Sequence, residues 1–279
     1  MSTYTREDLQ RRVQDMEPIK GADLEGLNLA ETRLEGAIML QCNLRGAKLA
    51  HANWDCADLT GCDFSGADLS GCSLQEANLN HATFTDANLS GANLVEASLK
   101  RTTLDMTLMR EADLTMASLA GAEGILVDLT GATLRRTVLD GAHLVLCRLD
   151  EVKAEYATAI KADFTGASFC RATLDRAVLL GSNFSLADLE EASLRGCPLK
   201  QANFFSSVLR NARFTKSNLE QARFMSADAR DAVINGANLR GAYFTDGNFA
   251  GAVFDASFML QTHVEGANFD GASFKETRR

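Results

Sequence analysis

The stretch GADLEGLNLAETRLEG, residues 21–36, sets Leu24, Leu29 and Leu34 five residues apart, with Ala22 and Thr32 two residues ahead of the first and last of them. The same unit recurs far downstream as GANLRGAYFTDGNF, residues 236–249. Counting in fives from Leu24 to Phe274 visits 51 positions, and 47 of them hold Leu, Phe, Met, Trp, Ile or Val. Two residues before each lies Ala, Cys, Ser, Thr or Gly in 48 of 51 cases, the exceptions being Leu27, Val127 and Val152. Self-similarity on this scale governs every other reading of the chain.

A period of five suits neither ordinary element. Five helical steps rotate about 500°, so successive large residues would spread around a helix. Five strand steps send them to alternate faces of a sheet. The chain must therefore turn within every repeat. A coil that bends once per pentad keeps each central side chain inward, with the small residue tucked beside it.

Tandem A(D/N)LxG units over residues 21–275 resemble the pentapeptide-repeat proteins. The resemblance implies an all-β fold, a right-handed quadrilateral parallel β-helix with four pentads per coil, so that residues i and i+20 stack. The sequence supports four sides independently. Of 13 Phe at central positions, seven fall in one column of spacing 20: Phe64, Phe84, Phe164, Phe184, Phe204, Phe224 and Phe244. Fifty-one pentads make about 13 coils. The expected organisation is an N-terminal capping helix within residues 1–20, the β-helix over 21–275 and a tail, 276–279.

In the capping segment Thr5 can cap a helix whose Leu9, Val13 and Met16 share a face, with Asp8 at the third helical position and Pro18 beyond the end. Solenoid ends expose strand edges and an open core, which a terminal cap covers. The C-terminus shows no equivalent. After Phe269 and Phe274 comes only KETRR, so an end-on partner, a second copy, is expected there, the alternative being a last coil closed by its own loops.

The N-terminus lacks the apolar core of a signal peptide, and no apolar run is long enough to span a bilayer. These features point to a cytoplasmic chain without membrane contact. Cys42, Cys62, Cys72, Cys147 and Cys197 occupy the small inward site and act as small hydrophobes. Cys42 and Cys62 fall one coil apart in one column, close enough for a bridge, but an odd total of seven in a chain without a leader argues for reduced thiols. Cys56 and Cys170 fall outside the inward positions.

Chemistry is sparse. Asp23, Asp58, Asp63, Asp68 and Asp113 belong to the repeat, where a short polar side chain bonds nearby backbone at a bend. His51, His81, His143 and His263 share no metal-ligand spacing. Phosphate-loop, HExxH and GxSxG motifs are missing, and the glycines follow the five-residue period as corner residues. No catalytic residue, cofactor site or metal site is expected.

What remains is the outer surface. On the face of the Phe column, outward positions carry Met106, Ile125, Leu126, Val145, Leu146, Leu186, Phe205 and Met225, and the preceding side adds Ile160 and Leu180. An exposed apolar stripe of this kind marks a protein-binding site. The alternatives are that a loop or the N-terminal segment covers it, or that some of these residues turn inward. The failures of the central position cluster in the same region, at Gly124, Ala154 and Ala159, so a bulge or projecting loop is expected within 122–160. Gly124 leaves a hole for Ile125 or Val127 to fill, and Tyr156 or Ile160 stands in the same relation to the two alanines.

Some pentapeptide-repeat proteins resemble duplex DNA in shape and charge and act on type II topoisomerases such as gyrase, inhibiting them or protecting them from quinolones. The net charge of −9 fits that role. Mimicry needs a continuous negative surface, however, and Arg135, Arg136, Lys153, Arg176, Arg195, Arg213 and Lys216 lie on one face. Nor does the acid excess suit direct nucleic-acid binding. The segment YTREDLQRRVQDMEPIKGADLEGLNLAETRLEGA, residues 4–37, is similar to the start of pentapeptide regions in proteins associated with bacterial type VI secretion. That resemblance implies an effector-loading chaperone or adaptor. The sequence thus favours a non-enzymatic interaction scaffold over the topoisomerase-directed DNA mimic.

Overall fold

The computed structural model describes residues 4–278, which divide into two compact units, residues 1–138 and 139–279. Residues 1–3 and Arg279, parts of the expected cap and tail, lie outside the described residues.

In the first unit, helix α1 (Arg6–Gln14) opens on the predicted cap. Thr5 Oγ1 accepts from the Asp8 N–H at 3.1 Å, and Asp8 Oδ2 accepts from the Thr5 N–H at 3.1 Å, a reciprocal capping box. Of the three residues expected on its inner face, Leu9 is buried and Val13 half-buried, whereas Met16 is 83% exposed. The helix stops at Gln14, and Met16 adopts a left-handed φ of 54°, which aims it away from the face the periodicity assigned to it.

Beyond α1 the backbone advances in turns of 20 residues. Strand β1 (Ile19–Lys20) pairs in parallel with β2 (Met39–Leu40) in the register Ile19↔Met39. Asp23↔Asn43, Asn28↔Lys48 and Arg33↔Asn53 repeat that offset, and it holds to Ser118↔Val138. Most pairings are single bridges. Among the described residues only β1, β2, β3 (Glu123–Ile125) and β4 (His143–Val145) run longer. The all-β expectation is therefore met by ladders rather than by long strands, and the corners explain why.

From Gly21 to Glu276 every fifth residue has φ between about 50° and 71°, 19 of them glycine and 33 not. A left-handed third residue, with a bond such as Ala37 N–H to Leu34 O at 3.1 Å, is the type II turn pattern. One such turn per pentad leaves roughly three residues for extended backbone on each side.

Each side is fastened to the next turn through backbone hydrogen bonds, as in Leu24 N–H to Asn43 O at 2.7 Å and Asn43 N–H to Ala22 O at 2.8 Å. Inside, the central residues and their small neighbours are almost all fully buried. Hydroxyls at small sites are satisfied by carbonyls, for example Thr107 Oγ1 to Phe84 O at 2.8 Å. Trp54, the single tryptophan, is also buried.

The second unit repeats the scheme from His143↔Asp163 to Phe258↔Arg278. Its core is an aromatic stack. Phe164, Phe184, Phe204, Phe224 and Phe244 lie face to face with centroids 5.3, 5.3, 5.0 and 5.5 Å apart.

The projecting loop expected within residues 122–160 does not form. Thr103↔Glu123 and Leu108↔Asp128 keep the register in the first unit, as do Lys153↔Thr173 and Thr158↔Val178 in the second. Volume is compensated by oversized small-site residues. A Cβ added to Gly124 would lie 2.5 Å from Val127 Cγ2, so Val127 fills that hole while Ile125 stays exposed. Buried Val152 stands two residues before Ala154. Tyr156 is exposed and Ile160 half-buried, so neither turns inward.

Candidate protein-binding surface

Each outward pair follows a buried central residue, and the second of the pair sits at the left-handed corner. Most non-glycine corners carry Glu, Asp, Lys, Arg, Gln, Asn, His or Ser. Six carry a large apolar or aromatic side chain: Met106, Met116, Leu126, Leu146, Tyr156 and Leu186. All six are exposed, Leu186 to 61%. A left-handed non-glycine residue costs on the order of 1 kcal/mol or more through Cβ crowding. The non-glycine corners all share this strain; what sets these six apart is a large apolar or aromatic side chain held in solvent.

In the first unit, Met106 and Leu126 occupy the same corner one turn apart, and the Met106 N–H bonds Ile125 O at 2.9 Å. Asp105 Oδ1 accepts from the Ile125 N–H at 3.0 Å, fixing the exposed Ile125 beside them. Met116 and Leu108, also exposed, escaped the sequence reading because they lie on other sides of the coil. The corner rule, applied to every side, would have found Met116.

In the second unit, Leu146 and Leu186 share one corner column two turns apart, about 10 Å at ordinary strand spacing. Leu146 folds over Gly166, where an added Cβ would meet its Cδ2 at 2.7 Å. The Leu186 N–H bonds Phe205 O at 2.8 Å, which sets exposed Phe205 against it. Val145, Met225, Ile160 and Leu180 are half-buried around this centre. Tyr156, on a different side, is engaged by Arg176, whose guanidinium lies 5.6 Å from the ring centroid while Nη1 donates to the phenol oxygen at 2.7 Å.

The last turn forms an open cavity of about 470 Å³ lined by Met259, Gln261, Thr262, Val264, Phe269 and Phe274. Phe269 stacks on Phe249 at 5.4 Å and Phe274 on Phe254 at 5.0 Å, and both remain half-exposed. Phe258 and Leu260 stand exposed nearby in sequence.

Among the described residues, no group of three or more His, Cys, Asp or Glu is arranged to hold a metal ion, and no helix is long and apolar enough to cross a membrane. The five inward cysteines are buried, Cys56 is exposed and Cys170 half-buried, and no disulfide joins them among the described residues. Burial pushes the Cys72 and Cys197 thiols up to about 12.

One ion pair in the first unit responds to acid. Asp128 is 4% exposed, and burial opposes its charge, but hydrogen bonds from Thr130 and Arg110, the latter at 2.7 Å, outweigh this and hold its carboxyl below the usual value. A lowered folded pKa contributes stability above the unfolded value, about 3.9, that disappears as pH falls through the folded value. Asp128→Asn should therefore lessen the loss of stability between about pH 4 and pH 2, measured as the urea midpoint against pH. An unchanged slope would show that this pair does not matter.

The chain belongs to the pentapeptide repeat family. The family's repeat profile matches in eight copies between residues 20 and 185, and a pentapeptide repeat region profile matches 167–244. Members fold as right-handed quadrilateral β-helices and are generally non-catalytic structural or interaction proteins. Among solved structures the chain is similar to HetL, a pentapeptide repeat protein involved in heterocyst differentiation regulation from the cyanobacterium Nostoc sp. strain PCC 7120, at 22% identity over 95% of this chain and 96% of that one, TM-score 0.26. It is similar to a pentapeptide repeat protein from the Arabidopsis thaliana thylakoid lumen at 33% identity over 42% and 75% of the two chains, TM-score 0.32. A third likeness is to QnrB1, a plasmid-mediated fluoroquinolone resistance protein, at 21% identity over 66% and 83%, TM-score 0.29. No curated protein matches the chain.

Proposed function

We propose that this protein is a non-enzymatic scaffold that binds a protein partner through the exposed apolar corners of its coils. The observation that carries this reading is the presence of Met106, Leu126, Leu146 and Leu186 at left-handed backbone positions, where they are both strained and solvent-facing. Replacing Leu146 and Leu186 together with glycine tests it, because glycine relieves the strain while deleting the contact.

Within that class we favour an adaptor or chaperone linked to bacterial type VI secretion, acting in the cytoplasm. The similarity of residues 4–37 to secretion-associated chains supports this, as does the capped α1 immediately ahead of the first turn. Co-expression with secretion spike proteins or their effectors should yield a stable complex; failure with all of them would remove the secretion link.

A second reading, the topoisomerase-directed DNA mimic, draws support from the charge partition. Residues 1–138 hold 20 Asp and Glu against 12 Lys and Arg, net −8, while residues 139–279 hold 17 against 16, net −1. A negative surface is thus concentrated in the first unit. No inhibition or quinolone protection in a gyrase supercoiling assay at micromolar protein would eliminate it.

We also propose that two copies pair end-on through Phe269 and Phe274. The apolar cavity supports this, together with the half-exposed rings of Phe269 and Phe274 that line it. Light scattering should report twice the 30.1 kDa chain mass, falling to the monomer in Phe269→Glu. A wild-type monomer at high concentration would overturn the pairing.

A further inference from the structure

Cys42 and Cys62 are the only cysteines one turn apart in the same inward column, with Ala22 before them and Ala82 after. Asn43 and Asp63, their immediate neighbours, pair in parallel register, which sets the two Cα atoms at about the 4.8 Å strand spacing. That lies within the roughly 4.4–6.8 Å that a disulfide spans. The Cys62 sulfur faces the backbone of the preceding turn, whereas Cys42 Sγ–H donates to Ile19 O at 3.7 Å and Leu40 O at 3.5 Å. The Cys42 N–H donates to Cys62 Sγ at 3.4 Å, and Cys62 Sγ–H donates to Met39 O at 3.1 Å. Cys72, by contrast, shares its column with Ala52 and Ala92 and has no partner thiol.

We propose that Cys42 and Cys62 form an oxidation-driven clamp that fastens the N-terminal turns of the first unit when the chain meets a peroxide. The neighbouring Cys62 thiol holds the Cys42 thiol below its ordinary value, while Cys42 and burial push Cys62 up, the charge of Asp58 adding to the rise. In the proposed step Cys42 attacks and Cys62 resolves. The Cys42 thiolate attacks a peroxide oxygen and breaks the O–O bond, giving a sulfenic acid and, after protonation, one water. Cys62 then displaces the sulfenic hydroxyl, which leaves with the Cys62 proton as a second water as the S–S bond forms. Two thiols are oxidised and one hydrogen peroxide is reduced to two waters.

Both sulfurs are buried, so the reaction requires local opening of these turns. Of α1 only Leu9 is buried, and terminal turns are the least protected part of a solenoid. The resulting bond closes a loop of about 20 residues around Trp54 and restricts the unfolded chain. Its effect is to trap the end turns in the paired state.

The test uses the full chain carrying Cys56→Ser and Cys170→Ser, which removes the two less buried thiols. After treatment with hydrogen peroxide, peptide mapping should recover one intramolecular cross-link, between residues 42 and 62. The melting midpoint followed by Trp54 fluorescence should rise by about 3–6 °C and return with dithiothreitol. Adding Cys62→Ala should abolish both effects without loss of folding, because alanine already fills this site at Ala22 and Ala82. If residues 42 and 62 remain alkylatable after unfolding, under peroxide that oxidises Cys56 in the wild-type chain, the proposal fails. It fails equally if the cross-link forms and the midpoint does not move.

Discussion

Phe204→Ala should lower the stability of the second unit by about 3–5 kcal/mol, read as a shift of the denaturant midpoint at constant slope. Phe204 is fully buried between Phe184 at 5.3 Å and Phe224 at 5.0 Å, with the edge of Phe214 at 5.6 Å. Deleting the ring removes both stacked faces and leaves a cavity its neighbours cannot close. Their backbones are pinned turn to turn, as by Phe184 N–H to Asn203 O and Phe204 N–H to Arg223 O, each 2.7 Å, so the walls cannot move inward. Such rigidity puts the cost at the upper part of the range for aromatic deletions. A loss below about 1 kcal/mol would mean that Phe204 carries no weight in the stack.

The double change Leu146→Gly with Leu186→Gly is expected to act in the opposite sense on stability and strongly on binding. Each glycine removes about 1 kcal/mol of left-handed strain and gives back roughly 0.5–1 kcal/mol through the greater freedom of the unfolded chain. The denaturant midpoint should therefore hold steady or rise slightly. Recovery of partners from lysate of the cells that make the protein should fall by about tenfold or more, since central apolar anchors dominate interfaces. A chain that folds as well as wild type and still captures the same partners would refute the apolar corners as a binding surface. A midpoint loss above about 1 kcal/mol would show instead that these leucines serve the fold.

The period from Leu24 to Phe274 made the core legible because each inward site has a fixed address, and Phe164 through Phe244 stack as the spacing of 20 requires. The outward address of Leu146, Leu186 and Phe205 followed from the same ruler. Within residues 122–160 it named Val127 as one candidate to fill the hole at Gly124, as the structure shows, but the expected projecting loop does not form because the neighbouring small site restores the volume. Packing depends on pairs of sites, and a single-column reading sees one of them. Met16 was misplaced for a related reason, since helical spacing cannot register that the helix has ended at Gln14. The strain at the six apolar corners was invisible from composition alone, because their significance arises only when φ is positive at each of them.

The uniform corner has a consequence for how such a chain changes over generations. Because all positions from Gly21 to Glu276 in that series adopt one backbone conformation whether they hold glycine, aspartate, arginine or leucine, a mutation there rewrites the surface without disturbing the turn that bears it. Within each unit the corners recur turn by turn along each edge, so a recognition pattern can be composed one side chain at a time, like characters set on a fixed line. The coil is then a neutral carrier for heritable text, and new binding partners can be acquired while the architecture stays as it was.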